Sequence, residues 1–174
     1  SFDDVDLAET SLVGADLARA SLVRASASGV DFRKLGAPLD LTEARLPGAV
    51  LDGLDLSGAL LARAELAGAS LRGALLRGAD LTKVQLEGST LDDADLRGAR
   101  CAGAVFRKAS LARASLAEAD AQGAIFEEAI LRGAVVKDAK LSGALMKGAD
   151  LSGVELREAA ALDADFSETM MDAP

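Results

Sequence analysis

The sequence has no histidine, tryptophan, tyrosine or asparagine, one cysteine and three prolines among 174 residues. Without histidine, the side chain that most often acts as a catalytic base or metal ligand is missing. The lone Cys101 excludes a disulfide within the chain. Five phenylalanines are the only aromatic residues and the net charge is −9, so the chain lacks the stacking and basic surfaces of nucleic-acid binders. These absences predict no enzyme, no cofactor, no metal site and no direct binding of nucleic acid.

Long apolar segments are also missing. The sequence has no apolar run of about eighteen residues and no secretory leader pattern. It therefore predicts no membrane contact, and a cytoplasmic location is the expectation.

A five-residue period dominates the sequence from Leu39 onward. Numbering the places of each unit from its first residue, place one is Ala in 21 of 27 units and place three is Leu in 18 of 27. On a helix, residues five apart lie about 140° apart, so no stripe would collect the leucines. On a strand, places one and three point to the same side. Each unit is thus interpreted as a very short strand followed by a corner.

Place five is the predicted corner. It is Gly in 14 of the 27 units, as a turn that needs a positive φ prefers. The other corners carry a charged residue or Ala173, and for these we expect a different turn type that tolerates a side chain.

Several units, such as Ala79-Asp80-Leu81-Thr82, Ala94-Asp95-Leu96-Arg97 and Ala149-Asp150-Leu151-Ser152-Gly153, match the pattern A(D/N)LxG. In this the chain resembles the pentapeptide-repeat family over almost its whole length. The resemblance implies an all-β fold, a right-handed quadrilateral parallel β-helix with four units to a coil. It also implies that place three fills the axis and that place one lies beside it.

The chain reads as one domain, 1–174, in two blocks. A register break at 33–40 separates a short N-terminal block (1–32) from the main block (39–173). The break is either a one-residue deletion or a bulge, and Pro38 favours a bulge because it fixes φ and lacks an N–H. The candidate loop consists of Arg33, Lys34, Leu35, Gly36, Ala37 and Pro38. Both blocks together predict about eight and a half coils.

The same register predicts the core. Cys101 falls at place three and is interpreted as a buried filler. Three further residues at place three, Phe106, Phe126 and Phe166, are spaced by twenty together with Met146 and should form one inward stack.

Place two points outward, and one column of it carries the candidate protein-binding strip. Val105, Ile125 and Leu145 are twenty residues apart, so they should form three adjacent apolar rungs. Ile130 and Val135 occupy place two on the next two faces of the Ile125 coil. Exposed apolar surface of this kind often marks an interface, but β-branched ladders also favour strands, and both interpretations stay open.

Two functions are compatible with these features. The first is a non-enzymatic interaction or spacer scaffold within a larger bacterial protein, whose protein partner the sequence does not name and which self-associates through its coil ends or the apolar strip. The second comes from the family resemblance, in which some members mimic DNA and protect or inhibit DNA gyrase. The negative charge has the sign a DNA mimic needs, but positive corners such as Arg63 and Lys108 interrupt the acidic ones. The scaffold is the preferred hypothesis and the gyrase modulator the alternative.

Overall fold

The structure, a computed structural model, describes residues 4–7, 39–156 and 158–172. Its strands are reduced to single parallel bridges between place-two residues twenty apart in sequence, from Asp40↔Leu60 to Asp150↔Met170. Twenty residues therefore make one coil with four sides. The bridges form four columns: face 1 with Asp40, Leu60, Asp80, Arg100, Asp120, Lys140 and Ala160; face 2 with Arg45, Glu65, Gln85, Val105, Ile125, Leu145 and Asp165; face 3 with Val50, Ser70, Thr90, Ser110, Ile130, Asp150 and Met170; and face 4 with Asp55, Leu75, Asp95, Ser115 and Val135.

The coils are joined by a repeating set of backbone hydrogen bonds, which the unit 59–63 illustrates. The place-two N–H of Leu60 donates to Leu39 of the coil below at 2.8 Å. The N–H groups of Leu61 and Arg63 donate to the coil above at 2.8 and 2.9 Å. Within the coil, the N–H of Ala59 donates across the corner to Leu56 at 3.0 Å. Four of the five N–H groups are used, and only the N–H at place four is left over.

The corners are more uniform than the sequence indicated. Charged corners have φ between 56° and 61°, as in Lys83 at 57°, and glycine corners have φ between 62° and 74°. The prediction of a different turn type for charged corners is therefore wrong. The physical reason is the axial hydrogen bonding: a place-five N–H meets the next coil only if every corner turns the same way. A side chain in this region costs roughly 1–2 kcal/mol, which the surrounding ladder offsets.

The core follows the predicted register. Place-three leucines and place-one alanines are buried from Leu41 to Leu151. The rings of Phe106 and Phe126 stack with centroids 4.8 Å apart and planes within 3°. Met146 is buried above them, and Phe166 in the last coil is partly buried. Cys101 is fully buried, which raises the pKa of its thiol to about 12, with Asp120 and Asp80 adding to the effect.

In the core, a large place-three side chain on face 2 is accompanied by a small place-three side chain on face 1 of the same coil. In lower coils the place-three residues of faces 1 and 2 are both leucine, as in Leu61 and Leu66. Where face 2 carries Phe106 or Phe126, face 1 carries the smaller Cys101 or Ala121. All of these side chains are fully buried, so the narrow axis accepts a ring only where the neighbouring side is small.

The predicted bulge at 33–38 and the boundary of the N-terminal block lie outside the described residues. They stay predictions, as does the total number of coils.

Candidate protein-binding surface

The N–H group left over at place four explains why Asp so often occupies place two. The carboxylate of Asp80 accepts from the N–H of Thr82 at 3.0 Å and from its hydroxyl at 2.6 Å. The carboxylate of Asp150 receives the same two bonds from Ser152. These are local turns in which the side chain replaces a missing backbone acceptor.

A second arrangement satisfies the same N–H group from the coil below. Asp52 at place four accepts from the N–H of Arg72 at 2.8 Å and from the hydroxyl of Ser70 at 2.6 Å. Asp92, on the same face two coils further along the rod, does the same for Ala112 and Ser110. On face 3, the two serines at place two, Ser70 and Ser110, therefore each go with an aspartate at place four of the preceding coil.

Two place-two carboxylates, those of Asp150 and Asp95, have pKa values below their ordinary value. Burial raises the pKa of the Asp150 carboxyl, but the hydrogen bonds from Ser152 and the contact with Arg132 outweigh burial and place the pKa below its ordinary value. Hydrogen bonds from Arg97 hold the pKa of the Asp95 carboxyl well below its usual range despite burial, and Arg77 adds to this. These two carboxylates are thus structural, because both accept hydrogen bonds from a backbone N–H and from arginine.

Face 2 departs from this arrangement at Val105, Ile125 and Leu145, which we name the face-2 strip. The bridges Val105↔Ile125 and Ile125↔Leu145 make the three residues direct neighbours along the rod. Val105 and Ile125 are half-buried, and Leu145 is 39% exposed. The structure therefore brings these three predicted residues together in one apolar surface.

The two borders of the face-2 strip differ. One border is the corner formed by Gly103, Gly123 and Gly143, where no side chain rises above the strip. The other carries opposite charges in pairs, namely Arg107–Glu127 at 2.6 Å and Lys108–Glu128 at 3.8 Å. The strip is flat and electrically neutral as a result.

The place-four N–H groups next to the face-2 strip have no side-chain acceptor. The residues concerned are Arg107, Glu127 and Lys147, and among the residues that the structure describes none accepts from these three groups. Apolar rungs and unused backbone donors therefore alternate at the spacing of the coils, about 4.8 Å.

Ile130 and Val135, the other two predicted residues, lie apart from the strip. They are 41% and 49% exposed on faces 3 and 4. The charged corner of Glu127 and Glu128 separates Ile125 from Ile130 in sequence and on the rod. The five candidate residues therefore form one strip of three and two isolated residues.

Two surfaces were not predicted by residue number. The last described coil exposes Leu162 at 73%, Met170 at 54% and Met171 at 48%. A groove of about 310 Å³ opens on face 4 between residues 133–137 on one side and Gly153, Glu155 and Glu158 on the other. The exposed apolar surface of the last coil could have been predicted from Leu162, an apolar residue at the outward place four. No residue type in the sequence indicates the groove.

Basic residues are interspersed among the acidic ones along the corners of the rod. Ion pairs join successive coils at exposed side chains, for example Arg63–Glu43 at 3.7 Å and Arg113–Asp93 at 2.7 Å. Each exposed pair contributes little to stability, on the order of 0–1 kcal/mol. Their effect on the surface is larger, since they place positive charge beside the acidic corners that they pair with.

Within 4–7, 39–156 and 158–172, no helix has the length and apolar character to cross a bilayer. The same segments contain no group of three or more Cys, Asp or Glu side chains placed to hold a metal ion.

Comparison with known proteins identifies the architecture. The family model for pentapeptide repeats matches in eight copies, over residues 1–34, 40–78, 59–98, 94–133 and 137–171. No curated protein sequence matches the chain.

Three solved structures are similar to this chain to different degrees. HetL, a pentapeptide repeat protein involved in heterocyst differentiation regulation from the cyanobacterium Nostoc sp. strain PCC 7120, is 28% identical. That match covers 91% of this chain and 81% of HetL, with a TM-score of 0.51. QnrB1, a plasmid-mediated fluoroquinolone resistance protein, is 20% identical over 87% of this chain and 91% of its own, with a TM-score of 0.45. A pentapeptide repeat protein from the Arabidopsis thaliana thylakoid lumen is 31% identical over 64% of this chain and 71% of its own, with a TM-score of 0.22. The chain belongs to the pentapeptide-repeat family, and its fold is the right-handed β-helical solenoid built from that repeat.

Proposed function

We propose that this protein is a non-enzymatic scaffold that binds another protein through the face-2 strip. The observation that carries the proposal is the three-rung apolar column Val105, Ile125 and Leu145 at a place that otherwise holds polar residues on this face. The strip is flat, and no side chains rise above it on the border formed by glycine corners. It is therefore accessible to a partner's apolar side chains.

The size of the strip defines its role in an interface. Covering the three side chains would remove on the order of 200 Å² of apolar surface, worth about 5 kcal/mol at about 25 cal/mol per Å². A stable interface buries roughly 800 Å² on each partner. The strip is therefore proposed as the apolar centre of a contact that also uses the neighbouring charged corners, with moderate affinity.

The test compares two triple variants. Val105→Ser, Ile125→Ser and Leu145→Ser together remove the strip, whereas Val50→Ser, Leu60→Ser and Leu75→Ser remove three isolated place-two residues on faces 3, 1 and 4. Both variants change half-buried or exposed outward side chains and should retain the β-helix by circular dichroism.

The readouts are sedimentation equilibrium and chemical cross-linking of bound proteins. We expect the strip variant to lose self-association or partner capture and the matched variant to keep both. Equal self-association and partner capture by the two variants would contradict the proposal. Three adjacent apolar residues would then contribute no more to binding than three separate ones.

The alternative is a DNA-mimicking modulator of DNA gyrase. The net charge of −9 favours it, while the ion pairs along the corners oppose it, since steering a basic partner requires a concentrated field. A gyrase supercoiling assay titrated with the protein separates the two functions. Inhibition or protection at low micromolar protein would establish the alternative, and no effect at large excess would remove it.

A further inference from the structure

The charged border of the face-2 strip alternates in sign from coil to coil. Its place-four residues in successive coils are Glu87, Arg107, Glu127 and Lys147. In the two middle coils, the place-five corner beside them carries Lys108 and then Glu128. A column that reads minus, plus, minus, plus becomes plus, minus, plus, minus when it is turned end for end. The border is therefore complementary in charge to a reversed copy of itself.

One two-fold axis brings two such borders together with face 2 against face 2. The axis runs across the rod and passes between the coils of Val105 and Ile125, so the two rods are antiparallel and present the same surface to each other. Val105 then faces Ile125 of the second copy, and Leu145 faces Gln85 of the second copy. The apolar rungs of both copies are covered by this arrangement.

The same axis sets opposite charges against each other on both borders of the strip. The opposed residues, each with its counterpart in the second copy, are Arg107 with Glu127, Lys108 with Glu128, Glu87 with Lys147 and, on the glycine border, Arg63 with Asp163. Every pair occurs twice because of the symmetry. The like-charged residues Glu65 and Asp165 face each other only at the ends of the contact, where Arg45 pairs with Glu65 at 3.2 Å.

Other ways of placing face 2 against itself lose this complementarity. With the axis through Ile125, Glu127 faces Glu127 of the second copy. With the axis through Val105, Arg107 faces Arg107 of the second copy. If the rods run parallel instead, the charged border of each copy lies against the glycine border of the other. The order of charges along the border therefore selects the antiparallel register with the axis between coils.

We propose that the face-2 strip binds a second copy of this chain as an antiparallel, two-fold symmetric dimer with Arg107 opposite Glu127 of the second copy. This rests on the proposed function and names its partner. From Arg63 to Asp163 the contact spans six coils, or about 29 Å at about 4.8 Å per coil. Because only three apolar side chains of each copy lie at its centre, we expect a weak dimer with a Kd of about 10–100 µM. The charged pairs mainly fix the register.

Glu87 and Lys147 provide the decisive test. In one chain they lie three coils apart, about 14 Å, whereas in the dimer they face each other across the axis. Glu87→Lys or Lys147→Glu alone sets like charges opposite each other at two places, and each should weaken the dimer about tenfold or more. An equimolar mixture of the two variants should regain the affinity of the unaltered protein, because each copy then meets opposite charges. Sedimentation equilibrium of the full chain measures all of these affinities.

A matched control separates contact from net charge. Lys140→Glu makes the same charge change on face 1, where the side chain is 60% exposed against 54% for Lys147. This variant should dimerise as the unaltered protein does. The triple-serine variant of the face-2 strip should stay monomeric. Raising the ionic strength from about 0.05 M to about 0.5 M should weaken the dimer of the unaltered protein several-fold, since exposed charge pairs are screened.

Two results would overturn the second-copy proposal. One is an unaltered protein that stays monomeric up to about 1 mM, far above the expected Kd. The other is a mixture of Glu87→Lys and Lys147→Glu that associates no better than either variant alone, because the two residues would then not face each other. If the unaltered protein is monomeric while the triple-serine variant still loses capture of a different protein, the proposed function stands and only the identity of its partner is overturned.

Discussion

Ala121 and Phe126 occupy place three on neighbouring sides of one coil, and both are fully buried. The corresponding coil below Cys101 holds Leu81 and Leu86, so the axis accommodates either two medium side chains or one ring and one small side chain. We expect Ala121→Leu to overpack the coil against the Phe126 ring and to cost about 1–3 kcal/mol of unfolding free energy.

The second single change, Phe126→Leu, underpacks the same coil. Phe126→Leu leaves unfilled space and removes the stack on Phe106, whose centroid lies 4.8 Å away. Together these losses should cost about 1.5–3 kcal/mol. The double variant restores the leucine pair of the lower coils and should cost only about 1 kcal/mol, so the coupling between the two sites should reach about 2 kcal/mol.

Urea unfolding followed by far-ultraviolet circular dichroism measures all four proteins of this cycle. A control cycle pairs Ala121→Leu with Leu66→Val, three coils lower on face 2, and should be additive within about 0.5 kcal/mol. Additivity in the first cycle as well would refute the reasoning, because it would mean that the ring and the small residue do not share space.

Three further outcomes are expected. Leu91→Asp places a charge in the fully buried core and should cost more than about 4 kcal/mol, whereas exposed Arg97→Ser should stay within about 1 kcal/mol; equal stabilities by denaturant unfolding would contradict the register. Lys83→Gly relieves a positive φ of 57° and should raise the free energy of unfolding by about 0.5–1 kcal/mol, while Gly88→Ala, at 64° and with open space for its Cβ, should lower it by about 1 kcal/mol. The pKa of the Asp150 carboxyl lies below its ordinary value of 3.8, so its ionised form stabilises the fold above that pH and this contribution is lost as the pH falls further. Asp150→Asn should therefore be less stable than the unaltered protein at neutral pH, and the difference should shrink below about pH 3.8; a constant difference would contradict this.

The five-residue period predicted most of the fold because the period is itself the geometry. Leu61 and Ala64 are buried for the reason that the sequence pattern gave, namely that places one and three face the same side of a strand. The column of Val105, Ile125 and Leu145 followed from counting twenty residues, so this part of the candidate site was also predictable.

What the sequence did not reveal depends on contacts between coils. Lys83 has a positive φ because its N–H donates to the C=O of Ala102 in the coil above at 3.0 Å. A lysine side chain gives no indication of this backbone conformation. The unit Val154-Glu155-Leu156 has the same pattern as any other, yet its bridge to Val135 is absent from the described ladder. The residue types of this unit do not explain the missing bridge, which depends on how the last coil stacks on the one before it.

Glycine and charged corners share one backbone conformation, and this determines how the outer surface of the rod can change by substitution. Most glycine corners have nothing within 4 Å of where a side chain would begin, and charged corners adopt the same backbone angle. The outside of the rod is therefore a grid whose columns are set by the faces and whose rows are set by the coils. A substitution at one square changes the local chemistry and leaves the positions of all other squares fixed, so new recognition patterns can be written onto this protein one residue at a time without redesigning its interior.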